Sequence, residues 1–497
     1  MYWLGIDIGT GGSRALLVDG EGRVRAGHTA AHEDMMMARP LWAEQRPENW
    51  WAAAMDAVRG VLAKAGASGD QVTGIGLSGQ MHGLVILDAA HRVIRPSLIW
   101  CDQRSQPQVD AINAKVGKAR VLESIANPVL TGFTLPKLLW VRDHEPENFE
   151  RVRAMLLPKD YVRYRLTGEF ASEVSDASGT ALFDVVRRRW SWELVDALGL
   201  DRGMLPKAFE SSEVTGVISA EAAALTGLKA GTPVVGGGGD QAASAVGNGI
   251  VQTGIVSCTL GTSGVVFAHM DEVAYDPAGR VHTFCHAVRD KWHVMGVTQG
   301  AGLSLQWLRN QLMPGTAYDQ MTAEAAKAPS GSQGLFWLPY LMGERTPHLD
   351  ATARGGWIGL TGKHQRADLI RAVLEGVSYS QKDCLEIIED LGVHVESVRL
   401  SGGGAQSPFW RELLASVFDR RVVRLETQEG SAYGAALLAM AGTGAYASVP
   451  EVCAAVIREV DSLDPDPQAA AFYTKSHRLY QALYPALKEH FVATAAL

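Results

Sequence analysis

The chain opens on an alternation. Over Tyr2–Ile8, apolar residues recur at every second position, as on a half-buried strand, and one acid, Asp7, interrupts the run near its end. A glycine-rich turn, Gly9-Thr10-Gly11-Gly12-Ser13, leads into a second strand at 15–18, a DGEG turn and a third strand at 24–26. The period then changes to helical over Pro47–Ala65, with Trp50 and Trp51 early in the helix. Residues 72–77 read as a strand ending in Ser78-Gly79-Gln80-Met81-His82-Gly83, and 84–87 and 99–104 as further strand ends. Residues 133–143 predict a turn into a helix with Pro136 in its first turn, and 157–166 another helix entered through Pro158-Lys159-Asp160. Small polar residues at 172–180 are expected to line a cleft.

The second half repeats the opening. Residues 256–260 and 265–268 are strand-like and flank Gly261-Thr262-Ser263-Gly264, again a strand, a Gly-Thr tip and a strand. A long helix at 367–391 stops at Gly392, and a strand at 395–400 runs into Ser401-Gly402-Gly403-Gly404-Ala405-Gln406-Ser407 and a helix from Pro408. At 429–436 small residues recur one helical turn apart, a pattern for close helix packing. The chain closes on an amphipathic helix or pair at 468–497, expected to pack back on the first domain. The whole predicts an α/β protein of two duplicated domains, 1–245 and 246–497, around a central cleft.

At 497 residues the chain is too long for one core, which fits that division. The net charge of −8 and the lack of any basic run longer than 187–189 exclude a nucleic-acid partner of the usual kind. Five scattered cysteines without CxxC spacing point to a reducing compartment rather than a disulfide frame or zinc site. No apolar stretch approaches the roughly 20 residues of a membrane span. A cytoplasmic protein without a membrane partner is expected, with a homodimer as the assembly allowed for.

Chemistry concentrates at the glycine turns. A dinucleotide fingerprint or P-loop would need its glycines to open a helix, and those after Ile8 open a strand instead. A hairpin tip exposing Thr10, Gly11, Gly12 and Ser13 can still cradle phosphate through successive amides. Asp7 beside it is placed to hold Mg²⁺, through water because magnesium dehydrates reluctantly. Gln80, His82, Trp100, Asp102 and Arg104 offer donors, acceptors and one flat face, a set that suits a polyhydroxylated molecule. The turn at 401–407 can receive a nucleoside against bare backbone. At 236–244 the sequence is GGGGDQAAS, which leaves one carboxylate, Asp240, at the end of a tight turn where a hydroxyl can reach it.

Together DIGTGGS, GGGGDQ, LGTSG and LSGGGAQS, in that order, resemble the motifs of the FGGY carbohydrate kinases of the actin-like ATPase (ribonuclease H-like) fold. FTLPKLLWVRDH and GGWIGL with DLIRAVLE resemble the family's two diagnostic segments. SGQMHG, LWAEQRPENWW, LPKDYVRYRLTGEFASE and YLMGERTP are most similar to the members acting on D-xylulose. The resemblance implies ATP-dependent phosphorylation of a ketopentose at its terminal primary hydroxyl, with Mg²⁺. Asp240 would be the general base and would share the metal with Asp7, and Met81, His82 and Gln241 would join the sugar set. Arg14, Gly261, Thr262, Gly403, Gly404 and Ser407 would join Thr10, Gly11, Gly12 and Ser13 at the nucleotide. One departure is Gln241, where kinases of D-xylulose commonly carry Asn, so ribulose, L-xylulose and glycerol remain alternatives as substrates, and a non-enzymatic actin-like or chaperone ATPase is the distant alternative.

Overall fold

The computed structural model describes residues 1–427 and 429–495. Its first half is built on β1 (Tyr2–Ile8), β2 (Gly12–Asp19), β3 (Val24–Ala31), α1 (Pro47–Ala65) and β4 (Val72–Gly79). Two helices follow, α2 (Thr134–His144) and α3 (Pro158–Thr167), then β5 (Val214–Val217), β6 (Pro233–Val235) and α4 (Asp240–Gly247). The second half carries β7 (Gly254–Leu260), β8 (Gly264–Met270), β9 (His282–Cys285), β10 (Trp292–Thr298), α5 (Ala301–Leu312) and α6 (Arg366–Asp390). It ends with β11 (Val395–Ser401), α7 (Pro408–Phe418), β12 (Arg421–Leu425), α8 (Gly430–Gly442), β13 (Glu459–Leu463) and α9 (Pro467–Ala495).

The strands form two sheets of one plan. The first runs β5-β6-β4-β1-β2-β3, with the short strand Gly238–Gly239 beside β4. The second runs β9-β10-β8-β7-β11-β12-β13. In the first, β1, β2 and β3 pair antiparallel, β4 and β6 join parallel, and β5 closes antiparallel. In the second, β7, β8, β10, β11, β12 and β13 repeat those relations in the same order, and β9 is an extra edge. This duplication is the actin-like ATPase plan expected from the motifs.

The glycines in the central strands have a purpose. A Cβ on Gly5 of β1 would lie 1.8 Å from Ala432 O of α8, and one on Gly76 of β4 would lie 1.9 Å from Ala435 O. Gly434 of α8 meets Ala243 O of α4 just as closely, at 1.8 Å. Helix α8, from the second half, therefore lies directly on the first sheet, and Ala432, Ala436 and Leu437 share a core with Trp3, Leu16 and Val18. The small-residue spacing at 429–436 is thus explained by packing.

Three expectations change. Residues 99–104 are turn, not strand, because Asp102 and Arg104 are tied into a local knot described below. The boundary expected at 245/246 falls within α4. The terminal helix α9 packs not on the first domain but within the second, where Tyr473, Tyr480 and Tyr484 join the core of α6 and α7.

Candidate active site

The parallel pairing of the first sheet brings two acids to one end. Asp7 of β1 is in register with Ser78 of β4, and Ser78 is in register on its other side with Gly238, two residues before Asp240. Gly237 enters that turn at φ 78°, and a Cβ there would lie 1.9 Å from Leu77 O, so the turn requires glycine. Asp240 is the first residue of α4. Burial pushes its carboxyl up to about 7, with the charge of Asp7 adding to the effect and Gln241 opposing it. Burial also raises Asp7, against the pull of Ser431, Ser78 and Arg14. Asp7 Oδ1 is buried without a hydrogen-bond partner among the described residues, the condition of a carboxylate awaiting a cation or its water.

Beneath the turn lies a sealed charge cluster. Lys159, fully buried at the start of α3, donates to Asp160 Oδ1 at 2.7 Å and to Gly236 O at 3.3 Å. Glu173 Oε1 and Asp176 Oδ2 stand 3.8 and 3.7 Å from the same ammonium. Burial opposes the charge on Lys159, but the three acids prevail and raise its pKa. Ser175 donates to Glu173 Oε1 at 2.8 Å and accepts the Gly239 N–H at 3.1 Å, so the cluster grips both ends of the glycine turn. The segment at 172–180 is therefore buried support rather than cleft lining. A local trace of it is Lys159-Asp160 inside the otherwise apolar entry to α3, but nothing near them in sequence marks Glu173 and Asp176 as partners.

The set beginning at Gln80 divides. Gln80 is buried, donates to Gln45 Oε1 at 3.0 Å and to Gly9 O at 3.3 Å, and ties the first hairpin tip to Gln45, just ahead of α1. Trp100 is 44% exposed and donates from Nε1 to Thr10 Oγ1 at 3.0 Å, so its indole covers that tip. Asp102 and Arg104 serve each other: Nε and Nη2 of Arg104 reach Asp102 Oδ2 at 2.9 and 2.7 Å. The guanidinium is packed over Trp42 at 3.6 Å and Trp140 at 4.8 Å, and the Ala43 N–H takes Asp102 Oδ2 at 2.7 Å. This buried pair, with Glu44 Oε1 2.7 Å from Arg104 Nη1, orders the loop that presents Trp100.

Met81 and His82 stand on the other side of the turn. A Cβ on Gly239 would lie 2.9 Å from Met81 Cγ, which places Met81 directly against the approach to Asp240. His82 has φ 69°, held by Lys137 Nζ and Thr134 Oγ1, which donate to its carbonyl at 3.0 and 3.2 Å. Its Nδ1 lies 2.7 Å from Gly179 O, and its ring stacks on Phe133 at 4.8 Å. Burial pushes the imidazole down to about 3, so it is neutral. A carbonyl only accepts; Nδ1 therefore carries the proton and Nε2 is left as an acceptor.

At the first tip, Gly11 is exposed and a Cβ on it would meet nothing, leaving bare backbone for an incoming group. Ser13 is buried, with Oγ 2.9 Å from His32 Nε2, and buttresses the tip. Arg14 is held by Glu429 at 2.5 Å. At the second tip Thr262 is exposed, while the Gly261 and Thr262 carbonyls accept the first N–H groups of α5 at 2.8 and 3.1 Å. Gly403 is open and exposed, Gly404 presses on Leu260, and Ser407 caps α7 by accepting the Trp410 N–H at 3.3 Å. Ser401 Oγ lies 2.8 Å from Thr259 Oγ1, which joins this turn to the strand before the second tip.

Residues 2–247 match the N-terminal domain of the FGGY family of carbohydrate kinases, and residues 256–443 match its C-terminal domain. A xylulose kinase of Escherichia coli is 41% identical over 97% of this chain and 99% of that protein. One from Bacillus subtilis is 38% identical over 98% and 97%. A solved kinase structure from Brucella ovis, titled a xyloylose kinase, superposes with a TM-score of 0.92 at 37% identity, covering 98% of this chain and all of that one. With both family domains matched in order around a paired-acid site, the chain belongs to the FGGY family of carbohydrate kinases.

Proposed function

We propose that this kinase transfers the γ-phosphoryl group of ATP to the terminal primary hydroxyl of D-xylulose, giving D-xylulose 5-phosphate. The observation that carries the reading is Asp240, an acid at a helix N-terminus with its carboxyl held near 7 and Met81 and His82 on its flank. Near-full-length relatives named xylulose kinase support the choice of sugar.

A primary hydroxyl is a poor nucleophile at neutral pH. Asp240 accepts its proton as the phosphoryl group arrives, a contribution of about 10²–10⁴-fold. Positioning and charge stabilisation at the two hairpin tips contribute the larger share. Asp7 and Asp240 would hold Mg²⁺, which when bound neutralises charge on the phosphates. The exposed amides at Gly11, Thr262 and Gly403 would receive the nucleotide, and closure of the two halves would bring them to it. The five free cysteines suit a cytoplasmic enzyme.

The test is a panel of D-xylulose, D-ribulose, L-xylulose, glycerol and an aldonic acid with ATP and Mg²⁺, followed by ADP release. D-xylulose should give the highest kcat/KM. A polyol without a carbonyl at the top of the panel would overturn the sugar assignment, and ADP release indifferent to every sugar would overturn the kinase reading.

A further inference from the structure

The sequence motif GERTP, at 343–347, has no role in the site described so far. Arg345 within it has no carboxylate partner among the described residues. Its half-buried guanidinium donates from Nη2 to His282 Nε2 at 2.8 Å. His282 is itself fixed: its Nδ1 faces Asn127 Oδ1 at 3.3 Å, and Asn127 is in turn locked by the Thr283 N–H at 3.2 Å and the Thr283 carbonyl at 2.6 Å. Since an arginine only donates, His282 Nε2 must accept and Nδ1 must carry the proton. One tautomer therefore aims the guanidinium.

His282, which receives that guanidinium, is one ring removed from His82: Phe133 lies 5.8 Å from His282 and stacks on His82 at 4.8 Å. The ring of His282 stacks on Phe284 at 5.6 Å, Phe284 is 6.1 Å from Phe133, and Phe133 stacks on His82. Arg345 is near enough to His82 for its charge to add to burial in keeping that imidazole neutral. A ketopentose with its terminal hydroxyl at Asp240 and its chain passing Met81 would bring its other end, the carbonyl and the hydroxyl beside it, to His82 and Arg345.

We propose that Arg345, contributed by the second half of the chain and aimed by His282, is a specificity-determining residue that donates to the carbonyl oxygen of the ketose while His82 Nε2 accepts the neighbouring hydroxyl. The pairing matches a donor and an acceptor to an acceptor and a donor. A carboxylate at that end would satisfy Arg345 but set an oxygen lone pair against His82 Nε2, and a polyol would offer no carbonyl. The inference rests on the sugar-kinase reading above.

The experiment compares Arg345→Met and Arg345→Lys with the unmodified enzyme, measuring KM for D-xylulose, KM for ATP, kcat and thermal midpoint. Arg345→Met should raise the sugar KM about 10- to 100-fold, the range for losing a charge-assisted hydrogen bond, with the ATP KM within about twofold. Arg345→Lys, which keeps the charge but not the fork, should fall between, and His282→Phe should reproduce part of the loss. An unchanged sugar KM in Arg345→Met overturns the proposal, as does a parallel rise in both KM values with a lowered midpoint. If Arg345→Met does not fold, Arg345→Lys decides by the same split. If the unmodified enzyme ignores D-xylulose, the sugar assignment fails instead, and the same comparison is made on the sugar the panel selects.

Discussion

Asp7 and Asp240 flank a single strand: Ser78 of β4 pairs with Asp7 on one side and with Gly238, two residues before Asp240, on the other. Burial is the larger cause of the raised Asp240 carboxyl, and the charge of Asp7 makes charge on Asp240 harder still to hold. A base must be unprotonated to work, so kcat/KM for the sugar should fall about tenfold per pH unit below about 7 and level off above it. Removing the like charge with Asp7→Asn should move that limb to lower pH in the residual activity. A limb that stays or moves upward in a pH series from 5 to 9 contradicts this pairing.

Asp240→Ala should retain sugar binding and lose turnover by about 10²–10⁴-fold, because the proton-accepting group is gone while the flanking wall remains. Calorimetric titration with the pentulose and a coupled ADP assay give the two readings. Near-normal turnover would remove Asp240 from its role.

Asp7 Oδ1 is buried and has no hydrogen-bond partner among the described residues, so a neutral amide in its place gives a cation or its water a weaker acceptor. Asp7→Asn should raise the Mg²⁺ concentration needed for half-maximal rate at least several-fold. An unchanged magnesium titration would count against the assignment.

Lys159→Met leaves Asp160, Glu173 and Asp176 without their cation in a sealed interior. Breaking a buried charge set by removing one partner costs about 3–5 kcal/mol, so the urea midpoint should drop with the slope unchanged. A loss below about 1 kcal/mol would show that the acids are neutral there and need no lysine.

The fold was largely legible because period and glycine placement carry it. The helix Pro47–Ala65, the strand–tip–strand repeats and the long helix ending before Gly392 stand where the pattern put them. The turn at Asp240 was legible for the same reason: four glycines before one acid admit few other conformations. Buried charge was not. Lys159, Glu173 and Asp176 look like surface residues in sequence, and only their convergence from separate segments makes them mutual partners. Asp102 and Arg104 show the converse: polar residues near a presumed ligand, two apart, found each other before any ligand could. Arg345 and His282 lie 63 residues apart, and no local pattern announces such a pair.

The helix of the second half that covers the first sheet has a consequence for synthesis. Gly430 leaves the ribosome 183 residues (430 minus 247) after Gly247 completes α4, an interval on the order of 10–40 s at ~5–20 residues per second. Throughout it, the nascent amino-terminal lobe carries a bare face of small and apolar residues that only the late-arriving helix can shield. The lobe made first is thus completed only after most of the second has been made, and a truncated polypeptide stopping before that helix would be a client for holdase chaperones rather than a folded half.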